Sequence, residues 1–339
     1  MVTLTVAPAK MAVVPVETRD AYLELLKQCL TRALFVGEER SRGRRRRATG
    51  LIMRLLASRG YLVVPLLPSV EGAAVGSVPR LPGSRFLVRL LRRRGFAVVP
   101  DDAGVRPLAA DVRGRRIRGW TGGLARTERE FGLDWPEHAE TMVGLRRLDN
   151  VQACVEDVLR RGVPGDLLEA GVWRGGTTIL MRAVLAAHDD GERRVWVADS
   201  FQGLPKPDAD AFPADAGLDY TVHPELSVGV RQVQANFARY RLLDDRVRFL
   251  PGWFKDTLPS APIDRLAVMR LDGDLYESTM DALEALYPKL SAGGYCIIDD
   301  YGALEACRRA VDDYRAANGI TEEIRPVDWT GAYWQRASG

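Results

Sequence analysis

Long apolar runs are missing from this sequence. No stretch approaches the ~18–20 residues needed to cross a bilayer, so nothing in the 339 residues reads as membrane-spanning. The opening, MVTLTVAPAKMAVVPVETRD, lacks the basic start and long apolar stretch of a secretory signal. The expected location is the cytoplasm. Histidine and cysteine are scarce, three and four residues. No Cys-x-x-Cys pair occurs, and Cys29, Cys154, Cys296 and Cys307 do not cluster with His138, His188 or His223. A zinc site is therefore not expected, and the cysteines read as buried thiols in a reducing compartment.

The net charge is only +3, but it is unevenly spread. Residues 1–125 carry 23 Lys/Arg against 9 Asp/Glu, and residues 126–339 carry 25 against 36. The split divides the chain into a basic N-terminal extension with an auxiliary subdomain (1–125) and an acidic remainder (126–339). A basic segment can bind nucleic acid. This one has no recognisable nucleic-acid module, and its one dense run is Arg44-Arg45-Arg46-Arg47. Docking on the acidic part, in the same chain or a sister subunit, is the favoured reading, and it implies a homo-oligomer, most simply a dimer.

Tyr22, Leu23, Leu26, Cys29, Leu30 and Leu34 recur at helical spacing, predicting a helix over 20–34 with Asp20 as its N-cap. A polar linker follows. Then RLLASRGYLVVP (54–65) is echoed by RLLRRRGFAVVP (89–100). Each copy reads as a short basic helix, a glycine stop and a short strand ending at proline. The Gly/Pro-rich stretch between them, Pro68 to Pro82, reads as loop.

From about residue 150, strands and helices alternate. Strands are expected at Asp166–Glu169, Arg194–Ala198, Val247–Leu250, Leu266–Leu271, Tyr295–Ile298, Glu322–Val327 and Ala332–Gln335. Helices are expected at Val151–Arg161, Thr177–Ala187, Ser227–Tyr240, Ser278–Leu290 and Leu304–Asn318. This alternation predicts a doubly wound, mostly parallel α/β sheet, whose ligands bind at the carboxyl ends of the strands.

Two groups of residues sit at those ends. The first strand runs into Glu169-Ala170-Gly171-Val172-Trp173-Arg174-Gly175-Gly176-Thr177, a glycine-rich turn opening a helix, where backbone can approach a ligand closely. Trp173 and Arg174 break the spacing of the dinucleotide fingerprint. Asp199, with Ser200 beside it, ends the second strand, where a carboxylate can hold ribose hydroxyls; capping a turn is the alternative. After the third strand, Gly252-Trp253-Phe254 could pack on an adenine, or be core.

The second group is acidic. Asp272 and Asp274 follow the fourth strand, and Asp299 and Asp300 follow the fifth. On neighbouring strands, ~5 Å apart, four carboxylates would repel and protonate unless neutralised. An all-oxygen set favours Mg²⁺. The alternatives are caps or ion pairs with Arg270 and Arg308, or the Asp-x-Asp signature of a metal-dependent glycosyltransferase. A non-enzymatic protein retaining the fold is a further alternative. The irregular stretch Gly203–His223 is too long for a simple connection. It reads as a mobile lid near 203–224 or as a disordered surface loop.

Taken together, TMVG and RLDN (141–144, 147–150), EAGVWRGG, ADSFQGLP, PGWFKDTLP, LDGDLYEST and IDDYG resemble the macrocin O-methyltransferase family, in family order across 130–335. Residues 22–34 resemble its N-terminal helix, whereas 43–118 do not fit it. The resemblance implies a seven-stranded, Rossmann-like class I methyltransferase fold. It implies methyl transfer from S-adenosylmethionine to a sugar hydroxyl on a glycosylated natural product, as in antibiotic tailoring. A non-sugar vicinal diol or catechol is the alternative acceptor. By the same resemblance, Thr141 and Met142 line the methionine moiety. Glu169 and the glycines after it hold the amino-acid part, with Gly171, Gly175 and Thr177 in that turn. Asp199 holds the ribose. Asp272, Asp299 and Asp300 ligate Mg²⁺, and Asp274 is the general base. Some relatives use a histidine base, but no histidine lies in the motif here. The chemistry needs help, because a sugar hydroxyl is too weak an acid to attack at pH 7 without a metal and a base.

Overall fold

The computed structural model describes residues 16–35, 61–65, 96–100, 129–133 and 136–337. Its framework is set by apolar runs too uniform for a sheet with one wet face. All six residues of Leu266–Leu271 are buried, as are Leu167–Ala170 and Val195–Ala198. Period-2 alternation sends neighbours to opposite faces. Leu167, Val195, Val197 and Val268 join one core layer, and Leu168, Trp196, Ala198 and Met269 join the other.

Seven strands form the main sheet: β3 (Asp166–Ala170), β4 (Val195–Asp199), β5 (Val247–Pro251), β6 (Leu266–Leu271), β7 (Leu290–Ile298), β8 (Arg325–Pro326) and β9 (Ala332–Gln335). Their order is β5-β4-β3-β6-β7-β9-β8. The first five pair in parallel, and β9 runs antiparallel to both β7 and β8. The order reverses between β3 and β6, which opens a crevice at their carboxyl ends. The expected doubly wound sheet is therefore the observed one.

Helices α1 (Val16–Leu30), α2 (Leu145–Arg161), α3 (Gly176–Ala187) and α4 (Val230–Arg239) supply the first layer, including Leu23, Leu30, Leu148, Val155, Ile179 and Phe237. A four-residue turn of helix, α5 (Phe254–Thr257), follows β5. The longer helices α6 (Tyr276–Leu286) and α7 (Glu305–Ala317) supply the second layer, with Leu283, Leu286 and Val311 packed near Trp334.

Several boundaries differ from expectation. Asp20 lies inside α1, which starts at Val16 and carries Glu17 in its first turn, where a carboxylate complements the helix dipole. α6 ends at Leu286 because Pro288 cannot continue it; Tyr287–Lys289 tighten into a 3₁₀ turn. β7 starts at Leu290, five residues earlier than expected, with a register shift against β6. α4 starts at Val230 rather than Ser227. The strand expected at 322–327 shrinks to Arg325–Pro326, an exposed edge where proline cannot donate a ladder bond.

The echoed segments supply β1 (Tyr61–Pro65) and β2 (Phe96–Pro100), which pair antiparallel. Val63 faces Val98, the same position in the two copies, so the pairing has a local twofold. The basic helices expected before each strand, the linker after α1 and the loop 68–82 lie outside the described residues. Cys154, Cys296 and Cys307 are buried free thiols, and Cys29 is half-buried. Among the described residues, no helix is long and apolar enough to cross a membrane.

Phe237 is fully buried, edge-on to Phe249 and against the glycine-rich turn. Phe237→Ala should lower the unfolding free energy by ~3–5 kcal/mol. Urea titration checks this, and a loss below ~1 kcal/mol would mean that the layer repacks freely.

Candidate active site

The glycine-rich turn is shaped by steric limits. Gly171 has φ +87°, and a Cβ there would lie 1.9 Å from the carbonyl oxygen of Asp272. Backbone from β3 and β6 thus meets at the crevice with no room for a side chain. Asp199, at the end of β4, splints the turn. Its Oδ2 accepts the Val172 N–H at 2.8 Å and the Trp173 N–H at 3.3 Å, while Oδ1 accepts the Phe201 N–H at 2.6 Å. Burial raises its pKa, against the pull of these amides. Trp173 is held at φ +48°, with its indole N–H donating to the Glu225 carbonyl.

Across the crevice lies a network of buried charge. Arg270, on β6, is buried beneath the sheet ends and pairs with Glu169, Asp272 and Asp299. Arg147, on α2, pairs with Asp299 and Asp328. Asp299 therefore has a guanidinium on each oxygen. Burial alone would raise its pKa, but Arg147 and Arg270 hold it below the usual carboxylate range.

Among the described residues, Asp272, Asp274 and Asp300 each offer a carboxylate oxygen, all within 4.8 Å of one another. This grouping departs from the expected one. Asp299 was expected with the metal ligands, yet both its oxygens are engaged by arginine. Asp274, expected to stand apart as base, joins the cluster. All three clustered residues are half-buried and line one cavity. Burial and mutual repulsion push Asp272 up to about 6 and Asp274 up to about 8, and Asp300 rises well above its ordinary value. Asp300 Oδ2 has no hydrogen-bond partner. Glu169 is pushed up to about 8 by burial, since Arg270 is shared among three carboxylates and cannot fully offset that cost.

In this network six carboxylates (Glu169, Asp272, Asp274, Asp299, Asp300 and Asp328) face two guanidinium groups. Fully ionised, it carries an excess of four negative charges. A site of this kind favours cationic ligands.

The cavity that holds the cluster measures about 770 Å³. Of the residues expected from sequence, Thr141, Met142, Glu169, Gly171, Thr177, Asp199, Ser200, Trp253, Phe254 and all four aspartates line it. Gly175 and Gly252 do not. Gly175 caps α3 at φ +85°, and a Cβ there would lie 2.7 Å from Val233; Gly252 donates its N–H to the Asp199 carbonyl. Sequence reasoning missed Arg147 as a site residue, although the RLDN motif contains it. It also missed Lys255, which sits inside the PGWFKDTLP motif, and Trp329 and Tyr220, which carry no motif-level signal; all three line the cavity. The stretch read as a lid or loop carries a 3₁₀ turn at Pro213–Asp215, and a second turn, Pro224–Leu226, follows it. Gly203–Lys206, Tyr220 and Thr221 contribute to the cavity wall. His223 is not part of that wall and lies 3.4 Å from Glu225. A second cavity of about 920 Å³ borders Arg174, Glu140 and Arg239. It contains none of the clustered aspartates, so the chemistry belongs to the first.

Comparison with known proteins decides the family. The model of the macrocin-O-methyltransferase family matches residues 108–336. The chain belongs to this family. It is an O-methyltransferase, as its named relatives are. One relative is the 8-demethyl-8-(2,3-dimethoxy-alpha-L-rhamnosyl)-tetracenomycin-C 4'-O-methyltransferase of Streptomyces olivaceus, 62% identical over 211 residues, covering 62% of this chain and 80% of that protein. Another is the mycinamicin III 3''-O-methyltransferase of Micromonospora griseorubida, 55% identical over 213 residues, covering 62% and 84%. The solved O-methyltransferase NovP superposes with a TM-score of 0.62 at 55% identity, covering 62% of this chain and 88% of its own. The expected class I fold is thus the observed one. The glycosyltransferase and non-enzymatic readings fall away. Strands β1 and β2 precede the matched residues.

The acid cluster makes stability depend on pH in a definite direction. Asp272, Asp274, Asp300 and Glu169 have folded pKa values above their unfolded ones, so the folded state holds more protons. The stabilisation these four groups contribute is fully present below about pH 4 and is lost as pH rises towards about 8. For the metal-free protein, the melting temperature should fall from pH 5.5 to pH 8, as scanning calorimetry would record. A rise over that range would contradict the cluster.

Proposed function

We propose that this enzyme transfers the methyl group of S-adenosylmethionine to a sugar hydroxyl on a glycosylated natural product, with Mg²⁺ held by Asp272, Asp274 and Asp300. The observation that carries this reading is the convergence of those three carboxylates in a cavity also lined by the glycine-rich turn and Asp199. The donor set fits the ion: all oxygen, anionic, mutually repelling without a cation, and including the unpartnered Oδ2 of Asp300. The cavity also suits a donor that bears a sulfonium and an ammonium group. The sugar acceptor is carried over from relatives named for rhamnosylated tetracenomycin and mycinamicin substrates, and the place in antibiotic biosynthesis comes with it.

In this reading Thr141 and Met142 flank the methionine part of the donor, and Glu169 with the Gly171 backbone receives its ammonium end. Asp199, whose carboxylate has accepting capacity beyond the amides it already splints, receives the ribose beside Ser200. Trp253 and Phe254 enclose the adenine. Gly175 and Thr177 act from the start of α3: the first by keeping the turn compact, the second from the cavity wall. When bound, Mg²⁺ lowers the pKa of an acceptor hydroxyl and fixes its direction. Asp274 is the residue assigned to take the hydroxyl proton while the O–CH₃ bond forms and the CH₃–S bond breaks. Asp299 keeps Arg147 and Arg270 behind the cluster, so that its shape survives the repulsion among the acids. Residues 203–206 and 220–221 cover the crevice and limit water.

Chelation by EDTA should abolish activity and Mg²⁺ should return it. Asp274→Asn should lose ~10²–10⁴ in rate as a lost base. Added Mg²⁺ should partly rescue Asp272→Asn. It should not rescue Asp299→Asn, whose damage lies in the arginine network. Full activity in EDTA would end the metal reading. Near-normal turnover of Asp274→Asn would end its role as base and its place among the residues that hold Mg²⁺.

The basic N-terminal part and the acidic remainder also support a twofold dimer in which one meets the other across subunits. Light scattering at micromolar concentration should report about twice the chain mass. A monomer would contradict this.

A further inference from the structure

The covering segment is tied to the glycine-rich turn by the Trp173 indole, which donates to the Glu225 carbonyl, and also to the start of α6. Helix α6 begins at Tyr276, directly after the Asp272–Asp274 pair. Its N-cap position is Leu275, which has no side-chain oxygen for the first-turn N–H groups. Those groups find their acceptor far upstream. Asp215, in the 3₁₀ turn Pro213–Asp215 and fully buried, accepts the Tyr276 N–H on Oδ1 at 2.6 Å and the Glu277 N–H on Oδ2 at 3.1 Å. A carboxylate at this end also complements the helix dipole. Beside it, Phe212 packs its ring against Tyr276 with centroids 6.0 Å apart. Asp215 is not among the residues lining the cavity, so it is placed to act through others rather than on a ligand.

What it holds is a strained turn. Asp274 has φ +55°, unusual for a residue with a side chain, and the Leu275 N–H donates back to the Gly273 carbonyl. Asp274 is thus the middle residue of a γ-turn of the rarer, strained kind. Such a conformation persists only where its surroundings over-determine it. On the β6 side the loop is pinned by the Asp272 N–H, which donates to the Ala170 carbonyl. On the α6 side it is pinned through the amides that Asp215 accepts.

We propose that Asp215 is a positioning residue for methyl transfer: by capping the helix behind the Asp274 turn, it makes the covering segment and the aspartate cluster a single mechanical unit. The cluster then has its cation-binding shape only while residues 203–226 are seated. This inference rests on the Mg²⁺ reading above, and its test separates the two.

The test uses the full chain, with Asp215→Ala, Asp215→Asn and Phe212→Ala. Calorimetry measures affinity for Mg²⁺ and, separately, for S-adenosylhomocysteine; hydrogen exchange is followed across 203–226 without ligands. Asp215→Ala should weaken Mg²⁺ binding about tenfold or more, the usual effect of losing a residue that orients metal ligands. S-adenosylhomocysteine affinity should stay close to that of the parent, and exchange across 203–226 should quicken. Asp215→Asn, which keeps one good acceptor, should fall between. If Asp215→Ala does not fold, Phe212→Ala should give the same split in milder form. Unchanged Mg²⁺ affinity in a folded Asp215→Ala or Phe212→Ala variant would overturn the proposal. So would an equal loss of both ligands, the mark of a general structural defect. A parent protein that binds S-adenosylhomocysteine but no Mg²⁺ would overturn the metal reading and this inference with it.

Discussion

The structure at its working end depends on how buried negative charge is held. Arg270 stands under the ends of β3, β6 and β7 and pairs with a carboxylate from each: Glu169, Asp272 and Asp299. Arg147 brings α2 to the same place through Asp299 and Asp328. Removing one partner of such a buried network typically costs ~3–5 kcal/mol, because the rest is left uncompensated. Two arginines do not balance six acids, however. Burial, and then repulsion from the neighbouring carboxylates, raises the pKa values of Asp272, Asp274 and Asp300. All four aspartates line the cavity, but both oxygens of Asp299 are already taken by arginine. The same electrostatics thus separates a supporting carboxylate from those able to receive a ligand.

The sheet supplies the geometry on which this acts. Parallel neighbours bring the ends of β4, β3, β6 and β7 into one row, and the reversal of order between β3 and β6 opens the crevice. Backbone contacts close the row tightly. The Gly171 N–H donates to Ala198, the Asp272 N–H to Ala170, and the Asp299 N–H to Leu271, so each strand end is hydrogen-bonded to the next. Side chains then add the longer links, from Asp199 to the glycine-rich turn and from Asp215 to α6.

Much of this was legible in the sequence, for a physical reason. Buried parallel strands must be apolar almost throughout, so β3, β4 and β6 stand out at Leu167–Ala170, Val195–Ala198 and Leu266–Leu271. Acids placed just after such strands have few explanations other than chemistry. The division of labour among the acids was not legible. Asp299 and Asp300 are adjacent and chemically identical, and only the positions of Arg147 and Arg270 distinguish them. Arg147 lies on a helix more than a hundred residues upstream, and no spacing rule connects it to Asp299. Asp215 was equally hidden, because its acceptors' partners at Tyr276 and Glu277 are backbone amides that leave no mark in the sequence. Boundaries failed where tertiary contacts or proline override local pattern, as at Pro288 and along the exposed edge at Arg325–Pro326.

The central claim is that Asp272, Asp274 and Asp300 form a divalent-cation site while Asp299 stays with the arginines. A crystal of the protein soaked in Mn²⁺ and measured for anomalous scattering tests it most directly. The account predicts one anomalous peak within bonding distance of oxygens from Asp272, Asp274 and Asp300, with Asp299 still paired to Arg147 and Arg270. A peak coordinated by Asp299, or no peak in the cavity at saturating Mn²⁺, would contradict it.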